Sequence, residues 1–119
     1  VIEQIGSFPC VLAHMGGWNT WEEVREVLPG TGVYLDTSFA TGILHSTEDR
    51  YWDHQGAKML SKEEFTEMVS LFGADHILFG TDSPWDDQAE VLRYICDLPF
   101  GEEDREKILG KNAAELLGL

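Results

Sequence analysis

Apolar residues fall into short continuous runs that alternate with stretches repeating every three to four positions. The first run, Cys10-Val11-Leu12-Ala13, ends at His14 and is broken by Gly16-Gly17. A run this short, bounded by glycine, predicts a strand buried on both faces. Trp21, Val24, Val27 and Leu28 then recur at helical period, after Asn19 or Thr20 as cap. Thr20 and Glu23 have capping-box spacing, and Pro29-Gly30 stops the helix. Val33-Tyr34-Leu35 predicts a second strand, ending at Asp36-Thr37-Ser38. A long polar loop runs from Phe39 to Leu60. Ser61 and Glu64 form a second capping box, and Phe65, Met68, Val69 and Phe72 mark one helix face up to Gly73. His76-Ile77-Leu78-Phe79 predicts a third strand, ending at Gly80-Thr81-Asp82-Ser83-Pro84. Asp86 or Asp87 can cap the next helix, which carries Val91, Leu92 and Ile95. The last helical stretch holds Ile108, Leu109, Ala113, Leu116 and Leu117, and Gly110 divides it.

Strand and helix alternate three times, which predicts an α/β fold with a parallel sheet and right-handed crossovers. No Gly-x-Gly-x-x-Gly follows any strand, so a dinucleotide-binding fold is disfavoured. Three βα units are too few to close a barrel of eight, and alone they leave two sheet edges open. The opening Val-Ile-Glu-Gln-Ile-Gly-Ser reads like the end of a helix and a turn. The expectation is one segment, residues 1–119, of a larger fold. Leu12, Tyr34 and Leu78 would then lack facing partners. That predicts self-association, or contact with the rest of that fold, burying more than roughly 1,000 Å².

Composition narrows the partners. The 119 residues are 43% hydrophobic and 25% charged, an ordinary globular balance. A formal charge of −14 repels phosphate backbones and anionic membranes, so neither nucleic acid nor a membrane is expected. The acids gather in helical stretches, which also suits plain solvated faces. Cys10 and Cys96 lie in apolar runs without a Cys-x-x-Cys pair. They read as buried free thiols in a reducing, cytoplasmic setting.

Each strand is apolar until its last residues and then turns polar, and the C-terminal ends of parallel strands carry chemistry in such folds. His14 is either a satisfied core histidine or a site residue, and the glycines after it leave room for a ligand. Asp82 either caps a turn or meets a cation. No Lys or Arg lies between Asp75 and Trp85, which makes a metal ion its simplest partner. Trp85 is a candidate pocket wall. His45 and His54 lie in the long loop, where His45 is a candidate substrate contact. His76, at the start of its strand, reads as structural. Ser83 lacks a Gly-x-Ser-x-Gly turn and is not read as a nucleophile.

Four segments carry a family resemblance. Val11-Leu12-Ala13-His14-Met15-Gly16-Gly17 resembles the sixth-strand motif of the amidohydrolase-related family, and Val33-Tyr34-Leu35-Asp36-Thr37-Ser38 its seventh strand. Ile77-Leu78-Phe79-Gly80-Thr81-Asp82-Ser83-Pro84 is similar to the eighth-strand motif, and Ile108 to Leu117, with the pair Asn112-Ala113, to the closing helix. The resemblance implies the C-terminal portion, about three βα units, of a TIM (β/α)8 barrel. It implies a divalent metal, zinc, with Asp82 as metal ligand and general base. It implies His14 as the catalytic group acting on a small-molecule substrate or on metal-bound water. The implied reaction is hydrolysis of a C–N or C–O bond, with decarboxylation or a non-catalytic barrel segment as the alternatives. The family's first-strand His-x-His and its fifth-strand histidine have no counterpart in this chain.

Overall fold

The computed structural model describes residue 4 and residues 7–41, 48–51 and 56–119. Three strands form one parallel sheet: β1 (Val11–Leu12), β2 (Tyr34–Asp36) and β3 (Ile77–Leu78), in the order β1-β2-β3. Val11 pairs with Tyr34, Leu12 with Leu35, Leu35 with Ile77 and Asp36 with Leu78. Each strand is shorter than its apolar run. Ala13 already leads into a turn at His14–Gly16, and His76 closes a single 3₁₀ turn at Ala74–His76.

Helix α1 (Trp21–Val27) follows β1, and α2 (Lys62–Phe72) follows β2. Helix α3 (Gln88–Cys96) follows β3. Helix α4 (Glu102–Glu106), a π-helical turn at Lys107–Lys111 and α5 (Asn112–Leu117) complete the chain. The capping box of α2 forms in both directions: Glu64 N–H donates to the Ser61 hydroxyl, and the Glu64 carboxylate accepts from Ser61 N–H. Asp87, not Asp86, caps α3 by accepting from Glu90 N–H at 2.9 Å. The expected Thr20 box is absent. Thr20 points its hydroxyl back to the Gly17 carbonyl at 3.0 Å, so it closes the preceding turn instead.

The core gathers around β2. Leu35 and Ile77 are fully buried beneath Met15 from the first turn, Phe65 and Met68 from α2, Ile95 from α3 and Ile108 from the π turn. Asn112 ties the last helix to β3, donating to the Ala74 and Ile77 carbonyls at 2.7 and 2.8 Å.

Several burial expectations change. Val11 is 43% exposed, because β1 has a neighbour on one side only; this strand is not buried on both faces. Leu78, expected to lie uncovered, is only 8% exposed, while Leu12 and Tyr34 are half-buried. Cys96 is exposed near the end of α3 and Cys10 is partly buried; both are free thiols. Among the described residues, no helix is long and apolar enough to cross a membrane.

Candidate active site

Because the strands run parallel, their C-terminal ends share one edge of the sheet, and His14, Asp36 to Ser38 and Gly80 to Asp82 follow there. His14 enters its turn with a φ of 57°, a left-handed conformation, and Met15 follows at 53°. Three contacts hold the turn. The His14 carbonyl accepts from Trp21 Nε1 at 2.8 Å, the Met15 side chain is fully buried, and Gly16 lies against α1. A β-carbon at Gly16 would sit 2.7 Å from Val24 Cγ1, and its φ of 94° also favours glycine. Gly16 therefore makes room for α1, and Gly17 for the Thr20 side chain.

The His14 ring is partly buried, edge-on to Phe39 with centroids 6.1 Å apart. Its Nδ1 lies 2.9 Å from the Ser38 carbonyl oxygen and 3.3 Å from Ser38 Oγ. Asp36 closes the group: its Oδ1 accepts from Ser38 N–H at 2.9 Å, from His14 N–H at 3.3 Å and from the Ser38 hydroxyl. The polar ending of β2 thus reaches across to the end of β1. Thr37, fully buried, reaches the other way: its hydroxyl donates to the Gly80 carbonyl at 2.8 Å and accepts from Gly80 N–H at 3.0 Å. Gly80 permits that approach, since a β-carbon there would lie 3.3 Å from the Ser38 β-carbon.

Two residues beyond Gly80, Asp82 has a φ of 55° and is partly buried. Its carbonyl accepts from Trp85 N–H at 2.9 Å, and no described residue hydrogen-bonds or pairs with its carboxylate. A partly desolvated carboxylate without a partner favours a cation beside it. Trp85 is 76% exposed, which excludes ordinary core packing. It lines an open cleft of about 510 Å³ with residues 83, 84 and 86–88 and Glu90; neither His14 nor Asp82 belongs to that lining. His76 stacks on Tyr34 at the opposite end of the sheet, centroids 5.1 Å apart, in keeping with a structural role. His45 and His54 lie outside the described residues.

Asp36 and Ser38 did not stand out as site residues in the sequence. The available signal was the polar triplet ending β2; its links to His14 and Gly80 exist only across strands.

No group of three or more His, Cys, Asp or Glu among the described residues could hold a metal ion. These residues alone do not fit a complete metal site, because a zinc-type centre takes about four ligands. Asp82 has the chemistry of one donor.

A parallel sheet with polar groups at its C-terminal edge is an arrangement common to α/β folds that carry their sites there. The chain belongs to the amidohydrolase family, whose model matches residues 1–119. No curated protein sequence matches it. Among solved structures it is similar to a dihydroxybenzoic acid decarboxylase from Polaromonas sp. JS666, determined with bound manganese and the inhibitor 2-nitroresorcinol. That match has 20% identity and a TM-score of 0.66, and covers 99% of this chain and 36% of the other. The 5-carboxyvanillate decarboxylase of Sphingomonas paucimobilis matches at 14% identity and a TM-score of 0.65, with the same coverage. A proposed 2-pyrone-4,6-dicarboxylic acid hydrolase from Pseudomonas putida matches at 17% identity and a TM-score of 0.62, covering 97% of this chain and 45% of the other. These likenesses show a shared fold. The chain spans about a third of the length of the two decarboxylases.

Proposed function

We propose that this chain is the C-terminal part of a (β/α)8-barrel enzyme that uses a divalent metal ion to decarboxylate a small aromatic carboxylic acid. The observation that carries this reading is the carboxylate of Asp82, which no described residue pairs with, at the sheet edge that also bears His14. Asp82 would be this chain's donor to the ion, the other donors coming from outside the described residues. When bound, the ion supplies positive charge that draws and orients the oxygens of an acidic substrate. In decarboxylation a proton is delivered to the ring carbon bearing the carboxylate. The carbon–carbon bond then breaks, its electron pair returns to the ring, and CO2 leaves. His14 would handle a proton or polarise the substrate there.

Decarboxylation takes precedence over the hydrolysis expected first, because decarboxylases recur among the similar structures and one of them binds manganese. That manganese supports a divalent ion without favouring zinc. Hydrolysis of a C–O or C–N bond is the second reading, favoured by the family's description and by the Pseudomonas structure. The cleft beside Trp85 is also lined by Asp86, Asp87 and Glu90, which would repel a carboxylate there. The deciding experiment incubates the intact protein, loaded with manganese or zinc, with hydroxylated benzoates and measures CO2 release. Stoichiometric CO2 is the expected result. Turnover without CO2, giving a ring-opened or hydrolysed product, would transfer the assignment to hydrolysis, and no turnover with metal bound would overturn both.

A further inference from the structure

The contacts of His14 specify more than its position. A carbonyl oxygen only accepts, so an Nδ1 lying 2.9 Å from the Ser38 carbonyl must carry a proton. The Ser38 hydroxyl, 3.3 Å away, adds a second acceptor, because its own proton is directed to Asp36 Oδ1. Asp36 in turn accepts from the backbone N–H groups of both His14 and Ser38. One carboxylate therefore grips the backbone that carries the imidazole and the residue whose carbonyl orients it. We propose that Asp36, acting through Ser38, is a positioning residue that holds the neutral His14 ring in its Nδ1–H tautomer and leaves the Nε2 lone pair for the reaction site. The functional half of this inference rests on the reading that His14 acts on substrate; the tautomer does not.

Free histidine prefers the opposite tautomer, with the proton on Nε2, so the assignment has a direct signature. Which ring nitrogen carries the proton is set by the hydrogen bonds the ring makes, and the Ser38 carbonyl places it on Nδ1. A neutral His14 held this way accepts at Nε2 and donates there only after becoming an imidazolium. Any proton it delivers to substrate must first be taken up at Nε2.

The test is the ¹⁵N chemical shifts of the His14 ring in the intact protein, without metal or substrate, at a pH where the ring is neutral. The expected wild-type result is a protonated Nδ1 and a bare Nε2. Asp36→Ala removes all three acceptor contacts and should move the ring toward the Nε2–H mixture of a free histidine. Asp36→Asn keeps an oxygen that accepts from both backbone N–H groups and should retain Nδ1–H. In the active protein Asp36→Ala should lower kcat about 10–100-fold, with KM changed less, and Asn should restore most of the loss. If Asp36→Ala does not fold, the wild-type shifts and the Asn variant still decide. A wild-type His14 protonated at Nε2, or an Asp36→Ala ring unchanged at Nδ1–H, would overturn the proposal. Failure of the proposed reaction looks different: the tautomer would be as expected while no substrate turned over.

Discussion

Asp82 and His14 follow different strands, so their substitutions should separate two duties. Asp82→Asn keeps the shape of the side chain but gives up the charge that attracts a cation and the ability to accept a proton at neutral pH. In the intact enzyme it should lower both bound metal and kcat, the latter by roughly 10²–10⁴. His14→Ala should lower kcat by a similar factor while leaving most of the metal in place. Metal analysis beside kcat for the two variants checks this, and full activity in Asp82→Asn would remove that residue from the mechanism. Asn112 offers a test of structure at the same scale. Its amide nitrogen donates to two backbone carbonyls, those of Ala74 and Ile77, and the side chain is buried. Asn112→Asp places a carboxylate, which only accepts, against those two acceptors. It should cost about 3 kcal/mol at neutral pH. Such an aspartate has its folded-state pKa raised above the unfolded value of about 4, so the loss should shrink as pH falls toward about 4 and be smallest below it. Urea unfolding of both proteins at two pH values measures the difference.

Helices were more legible in the sequence than strands, for a physical reason. The Ser61–Glu64 box and the Phe65, Met68, Val69 face of α2 depend on residues within one or two turns, and all appear as the spacing predicts. Strand limits depend on pairing partners far along the chain, so four-residue apolar runs reduce to two paired residues in β1 and β3. The same distinction governs the site. The shared edge of His14 and Asp82 follows from the alternation of strand and helix, whereas the bonds from Asp36 and Ser38 to His14 need two strands side by side. Local contacts also govern one pH response. Tyr94 on α3 is pushed up to about 12, first by burial and then by the nearby Glu63 and Glu64 carboxylates. A raised folded-state pKa contributes stability that is complete below the unfolded value near 10. That stability is lost as pH rises from about 10 toward 12. Tyr94→Phe should abolish this component at small cost near neutrality, because among the described residues it removes a single hydrogen bond, the 3.3 Å contact to the Leu60 carbonyl. Unfolding free energies between pH 9 and roughly pH 12 would reveal the difference in slope.

At the scale of the molecule, the quantity that matters is surface. The chain exposes 7476 Å². A compact monomer of 13.4 kDa would expose about 6,500 Å². The excess of roughly 1,000 Å² exceeds the ~800 Å² that one partner contributes to a standard stable interface. Part of it is Phe8 and Val11, both exposed, and β1 has no described strand on its outer side. Against association stands the formal charge of −14, which repels a second copy over distances set by the Debye length. The two effects differ in salt dependence, because screening weakens the repulsion and leaves apolar burial intact. The 119-residue chain should therefore be mainly monomeric at low ionic strength and associate more strongly near 0.5 M salt, with Val11→Lys weakening the association. Sedimentation equilibrium at the two salt concentrations measures this directly. A chain that stays monomeric at both, at concentrations of about 100 μM, would mean that the open edge of β1 does not drive assembly and that its exposed residues are tolerated in water.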